Sequence, residues 1–126
     1  MRSKWYIKYK LAHRGLHNEK FPENSIGAFK NAVSHGFAIE LDVRLLKDDT
    51  AVVFHDTNLK RMCGIDKDIS DITIDDLREL SLNGTKYTIP TLSEVLDVVD
   101  GEVPIMIELK PVKKNRHHIL ERTVYR

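Results

Sequence analysis

The sequence holds one cysteine, Cys63, one tryptophan, and no apolar run approaching the ~20 residues of a membrane span. With a single cysteine there is no internal disulfide to form, and a reducing, cytoplasmic setting is expected. An excess of one charge is lacking too: 20 basic against 19 acidic residues leave a net +1. That balance makes no electrostatic case for nucleic acid as a partner, and none for a membrane surface. The basic, aromatic start "MRSKWYIKYK" has no apolar stretch of the kind a secretory signal carries, so none is expected. Repeats and low-complexity tracts are absent. What is present, 126 residues at 41% hydrophobic and 31% charged, is the composition of one globular domain or less.

The periodicity alternates between strand and helix. A short strand is predicted over 9–13, ending in "HRG". "FPENS" follows as a turn in which Asn24 or Ser25 can cap a helix carrying Ile26, Phe29 and Val33. Gly36 supplies the left-handed stop. "FAIELDVRL" over 37–45 then reads as a strand, with Ile39, Leu41 and Val43 on one face and Glu40, Asp42 and Arg44 on the other. Strand, helix and strand make a βαβ unit.

Only residues 47–49 or so separate this strand from "TAVVFHD", and a parallel crossover needs about a dozen. The two stretches are therefore expected to form a hairpin. A turn centred on Asp48 and Asp49 would set His55 opposite Asp42. Residues 56–71 read as a polar loop, after which Thr73 caps a short helix with Leu77 and Leu80. "TLSE" at 91–94 is a capping box, and Leu92, Val95, Leu96 and Val99 form one apolar face behind it. In "PIMIELK", Ile105, Ile107 and Leu109 share a face opposite Met106, Glu108 and Lys110. The closing "NRHHILERTVYR" starts another helix, on which the adjacent His117 and His118 diverge and read as solvated.

This is an α/β pattern whose strands turn polar near their C-terminal ends, as a (β/α) barrel or an open parallel sheet presents a site. His13 and Arg14, Glu40 and Asp42, His55 and Asp56, and Glu108 and Lys110 all fall at such ends. If the strands are neighbours, Glu40, Asp42 and Glu108 offer three oxygen ligands to a hard cation, Ca²⁺ or Mg²⁺. Two imidazoles beside it could serve as general acid and base. Arg14 and Lys110 could hold a phosphate. A blander reading stands beside each: alternating carboxylates on a strand also describe a solvated face, a histidine after a strand a turn residue, and "ELK" an exposed ion pair.

The ordered motifs resemble the glycerophosphodiester phosphodiesterase family, of the phosphoinositide phospholipase C-like superfamily. The resemblance runs through "HRG" (13–15), "PENS" (22–25), "AF" (28–29), "IELDV" (39–43), "VVFHD" (52–56), "IPTLSEVL" (89–96) and "IELK" (107–110). It implies a TIM-type barrel and metal-dependent hydrolysis of glycerophosphodiesters to glycerol 3-phosphate and an alcohol such as choline or ethanolamine. Carried over by motif, Glu40, Asp42 and Glu108 look like metal ligands, and His13 and His55 like the acid–base pair. Arg14 and Lys110 would contact the phosphate, and Glu23 would support the site. Ser25 stands where threonine is frequent in the family, and "KDD" where its hairpin turn often has glycine.

A (β/α)₈ barrel takes about 250 residues, and here three parallel strands and a hairpin can be counted. The expectation is a partial domain over 1–126, the N-terminal part of the barrel, truncated or completed by a partner chain. An open barrel edge invites self-association. An inactive half-barrel that binds a divalent ion or a partner chain is the alternative to an enzyme. A lysophospholipid is the alternative substrate.

Overall fold

Strand β2, Ala38–Leu45, is the axis of the fold, and every residue along it is buried. The computed structural model describes residues 9–110; the helix expected after Lys110, with His117 and His118, lies outside them. Strand β1, Leu11–His13, pairs parallel with β2 and sets His13 beside Glu40. Strand β4, Ile105–Leu109, pairs parallel along the other edge and sets Glu108 beside Asp42. Strand β3, Ala51–Val53, returns antiparallel from the hairpin.

Backbone alternation shows which edge each neighbour takes. Ala38 N donates to Lys10 O at 2.8 Å and Phe54 N to Asp42 O at 3.0 Å, so β3 takes up the edge where β1 leaves off. Ile39 N donates to Pro104 O, and Lys110 N to Val43 O, both at 3.0 Å, on the β4 edge. Among the described residues no strand pairs with the outer edge of β4.

The odd-numbered residues of β2 make the core. Ile39, Leu41, Val43 and Leu45 pack with Phe29 and Ala32 of helix α1, Ile26–Ser34, and with Leu92, Val95 and Val99 of helix α4, Leu92–Val99. Of the two candidate caps for α1, Ser25 serves: its Oγ accepts from Ala28 N at 3.1 Å. Gly36, at φ +70°, follows the helix end in the left-handed conformation that glycine adopts without penalty. The capping box at α4 is formed, Glu94 N donating to Thr91 Oγ1 at 3.1 Å and Thr91 N to Glu94 Oε1 at 2.9 Å. Leu96 departs from expectation; it is exposed, and the buried stripe runs through Leu92, Val95 and Val99.

Residues 56–71, expected to be a polar loop, carry helix α2, Lys60–Cys63, and a single 3₁₀ turn, Ile69–Asp71. With helix α3, Ile74–Leu77, they enclose a second core of Leu46, Val52, Phe54, Leu59, Met62 and Ile72 among others. Period-two alternation divides the cores: Ala51 and Val53 face the first, Val52 and Phe54 the second. Single helical turns are too short to repeat a hydrophobic period, which is why the segment reads as loop.

The hairpin forms, one residue out of the expected register. Val43 pairs with Val53, so Phe54 and not His55 lies opposite Asp42. The turn closes through Leu46 N to Thr50 O at 3.0 Å, with Asp49 left-handed at φ +67°. Its centre is therefore Asp48 alone, an odd loop where an even one was expected. No helix among the described residues is long and apolar enough to cross a membrane.

Candidate active site

The even-numbered face of β2 is buried as well, with Glu40 and Arg44 each 8% exposed and Asp42 fully enclosed. A solvated-face reading of these carboxylates is thereby excluded. Buried charges are expensive unless paired, so their partners define the site.

Register brings the third carboxylate. Glu108 stands beside Asp42 on β4, and ligand oxygens of Glu40, Asp42 and Glu108 all lie within 4.8 Å of one another. Burial first, then the charge of Asp42, pushes the Glu40 carboxyl above its usual range. Glu108 is held low, chiefly by the Lys110 ammonium 3.1 Å away. Lys110 Nζ also lies 3.6 Å from Asp42 Oδ1.

Two turns stitched together close one side. Arg14 N donates to Glu40 O at 2.8 Å, continuing the β1 ladder, and Arg14 then turns left-handed at φ +59°. Gly15 follows at φ +80°, where a Cβ would sit 2.9 Å from the Ala28 Cβ; only glycine fits both constraints. Asn24, left-handed at φ +55°, donates its backbone N–H to Arg14 O at 2.9 Å and its side-chain amide to Asp42 Oδ2 at 3.1 Å. Arg14 lies with Nε 3.8 Å from Asp42 Oδ2 and Nη1 3.1 Å from Glu23 Oε2.

The two histidines have different partners. His13 Nε2 is 3.8 Å from Glu40 Oε1, with the ring largely exposed. His55 joins its Nδ1 to Asp56 Oδ1 at 2.8 Å. The His55 carbonyl accepts from Arg44 Nε at 2.8 Å, which fixes the chain where it leaves β3. His13, Glu40, Asp42, Glu108, Lys110, Arg14 and, through Arg14, Glu23 form one cluster; His55 joins it only by way of Asp56, Arg61 and Glu23.

Three further residues escaped the sequence reading. Asn24 reads as a cap, and asparagine's tolerance of left-handed backbone is the only sequence signal of its place here. Arg44 reads only as the third polar residue of its strand. Arg61 lies in a segment whose pattern reads as loop; its guanidinium binds both Glu23 and Asp56. Arg61 foremost, opposed by burial and aided by His55, holds the Asp56 carboxyl at about 2. Burial raises Glu23, but Arg61 and Arg14 outweigh it and hold that carboxyl low.

Among the described residues, three buried side-chain polar atoms have no hydrogen-bond partner: Arg14 Nε, Asn24 Oδ1 and Asp42 Oδ1. Two are oxygen acceptors in the carboxylate cluster, and one is a guanidinium donor beside it. This all-oxygen donor set fits a divalent cation, and the open donor fits an anionic ligand.

The Glycerophosphoryl diester phosphodiesterase family model matches residues 13–124. A glycerophosphodiester phosphodiesterase of Caldanaerobacter subterraneus subsp. tengcongensis is 38% identical over 108 residues, 79% of this chain and 44% of its own length. A lysophospholipase D of Rattus norvegicus is 35% identical, over 83% of this chain and 37% of its length. Among solved structures, an Oleispira antarctica phosphodiesterase in complex with the product sn-glycerol-3-phosphate is 30% identical with a TM-score of 0.82. That match covers 92% of this chain and 50% of the solved one. The chain therefore spans half or less of the length of these relatives, and its sheet corresponds to part of a (β/α)₈ barrel.

Proposed function

Because the chain belongs to the glycerophosphoryl diester phosphodiesterase family, we propose that its site cleaves glycerophosphodiesters to glycerol 3-phosphate and an alcohol. The observation that carries this reading is the convergence of Glu40, Asp42 and Glu108 within 4.8 Å, next to the unpartnered Arg14 Nε. An open acceptor and an open donor side by side suit a cation and a phosphate oxygen together. Glu40, Asp42 and Glu108 would hold Ca²⁺ or Mg²⁺. When bound, the divalent cation neutralises the phosphodiester and polarises its phosphorus–oxygen bond.

The chain's own residues do the rest. Arg14 and Lys110 bind phosphate oxygens, the first as a planar fork and the second as a point charge. Glu23, 3.1 Å from Arg14 Nη1, orients that fork. One histidine takes the proton of the attacking hydroxyl and the other protonates the leaving alkoxide; attack by water gives glycerol 3-phosphate directly, whereas attack by the substrate's glycerol hydroxyl gives a cyclic phosphodiester that water then opens to it. His55 is equipped for either role, because the Asp56 carboxylate occupies Nδ1 and leaves Nε2 for the reacting proton.

A lysophospholipid is the second substrate reading, favoured by the relative named as a lysophospholipase D. The lone cysteine supports a cytoplasmic setting. Residues 1–126 are read as one partial domain, and the outer edge of β4 is where a second copy would add.

The test is glycerol 3-phosphate release from glycerophosphocholine, against choline release from lysophosphatidylcholine, each with Ca²⁺, with Mg²⁺ and with chelator. Cation-dependent glycerol 3-phosphate is the expected product. Choline release from the lysolipid alone would shift the assignment to the second substrate. Cation binding with neither product would leave a half-barrel that binds an ion or a partner chain.

A further inference from the structure

The guanidinium of Arg61 makes four hydrogen bonds to two carboxylates brought from distant parts of the chain. Nη1 and Nη2 donate to Glu23 Oε1 and Oε2 at 3.0 and 2.8 Å, and Nε and Nη2 donate to Asp56 Oδ2 and Oδ1 at 2.8 and 3.2 Å. Beyond each carboxylate lies a site residue. Glu23 binds Arg14 at 3.1 Å, and Asp56 binds His55 at 2.8 Å. The result is one chain of alternating sign, Arg14–Glu23–Arg61–Asp56–His55.

We propose that Arg61 is a positioning residue that fixes the tautomer and orientation of His55 through Asp56, and the orientation of Arg14 through Glu23. The inference about His55 rests on the reading of that residue as an acid–base group. Asp56 is ionised at neutral pH and can only accept, so the hydrogen between the two residues belongs to His55 Nδ1. Nε2 of the neutral ring is then left as the reactive nitrogen. Asp56 keeps this geometry because Arg61 occupies both of its oxygens; with Arg61 gone, the carboxylate is free to rotate away.

An ordinary surface ion pair would not have this effect. Exposed pairs contribute little to stability, and the Arg61 side chain is 50% exposed. Its consequence is geometric: two bidentate forks join turns that are 38 and 5 residues from it in sequence. Lysine, a point charge with no planar fork, can neutralise both carboxylates but orients them only in part.

The test compares wild type, Arg61→Gln and Arg61→Lys by ¹⁵N–¹H correlation of the histidine rings, with His55 assigned from His55→Gln. Wild type should show His55 as a single Nδ1–H tautomer, Arg61→Gln a mixture, and Arg61→Lys an intermediate state. On glycerophosphocholine, Arg61→Gln should lose about 10- to 100-fold in kcat. Its Ca²⁺ affinity should be retained, because Arg61 bonds to none of Glu40, Asp42 and Glu108, and Arg61→Lys should recover part of the loss. An unchanged His55 tautomer in a folded Arg61→Gln would overturn the proposal; should that variant not fold, a wild-type tautomer in Arg61→Lys with unchanged kcat does the same. If wild type turns over no phosphodiester, the functional reading fails, while the ring spectra still decide the role of Arg61.

Discussion

Asn24 donates its side-chain amide to Asp42 Oδ2 at 3.1 Å, with both side chains buried. The bond commits one oxygen of Asp42 and leaves Oδ1, like Asn24 Oδ1, without a hydrogen-bond partner. Lys110 approaches that oxygen only to 3.6 Å. A buried carboxylate left this way is costly. A divalent cation shared with Glu40 and Glu108 would remove the cost, and Asn24 holds Asp42 in the orientation that leaves Oδ1 open.

Asn24→Asp preserves the side chain's shape and tolerates φ +55°, but it sets a second carboxylate against Asp42. Stability in chelator should fall by about 3 kcal/mol. Added Ca²⁺ should restore more stability to the variant than it adds to wild type. Thermal scans with chelator and with Ca²⁺ measure both shifts, and equal cation effects in the two proteins would count against a cation at this cluster.

His13→Ala and His55→Ala should each reduce turnover by about 10²- to 10⁴-fold while cation affinity is retained. The His13 side chain is 64% exposed, so its removal should leave the unfolding midpoint almost unchanged. Steady-state kinetics and calorimetric cation titration separate the two effects. A double variant with wild-type kcat would sink the acid–base assignment.

The Asp56 carboxyl is held at about 2 in the folded chain, against ~3.9 unfolded. A depressed carboxyl stabilises above its unfolded value, and that contribution is lost as pH falls from about 4 through about 2. Urea unfolding of wild type and Asp56→Asn between pH 7 and 2 should show the wild-type advantage vanishing in that window. An advantage that persists undiminished at pH 2 would contradict the Arg61–Asp56–His55 arrangement.

Leu41→Ala removes a fully buried side chain from the middle of β2 and should cost about 2–5 kcal/mol. Leu96→Ala, on the exposed side of α4, should change stability by less than about 0.5 kcal/mol. Chemical denaturation of the pair checks the orientation of α4 against β2; similar losses would mean that Leu96 is packed.

Much of this architecture was legible in the residues. The alternation in "FAIELDVRL" gave the two faces of β2, and "TLSE" marked the start of α4, because both signals are local. The hairpin was legible from its short connection, but its register was not: an odd and an even loop differ by one residue, and nothing in "KDD" distinguishes them. Residues 56–71 failed for another reason. Leu59, Met62, Ile69 and Ile72 are buried through tertiary packing around single helical turns, with no period to read. Arg61 fell inside that segment, so its reach to Glu23, 38 residues away, left no trace in local pattern.

The carboxylate cluster was the reverse case. Glu40 and Asp42 alone fitted a solvated strand as well as a site. Their burial removes the solvated reading, and the register that brings Glu108 beside Asp42 adds a third carboxylate to them.

The central claim is that Glu40, Asp42 and Glu108 hold one divalent cation. Isothermal titration of Ca²⁺ and of Mg²⁺ into the wild-type chain and into Asp42→Asn and Glu108→Gln tests it most directly. One cation per wild-type chain, bound at least about tenfold more weakly by each folded variant, is the predicted result. The same stoichiometry and affinity in all three proteins would contradict it.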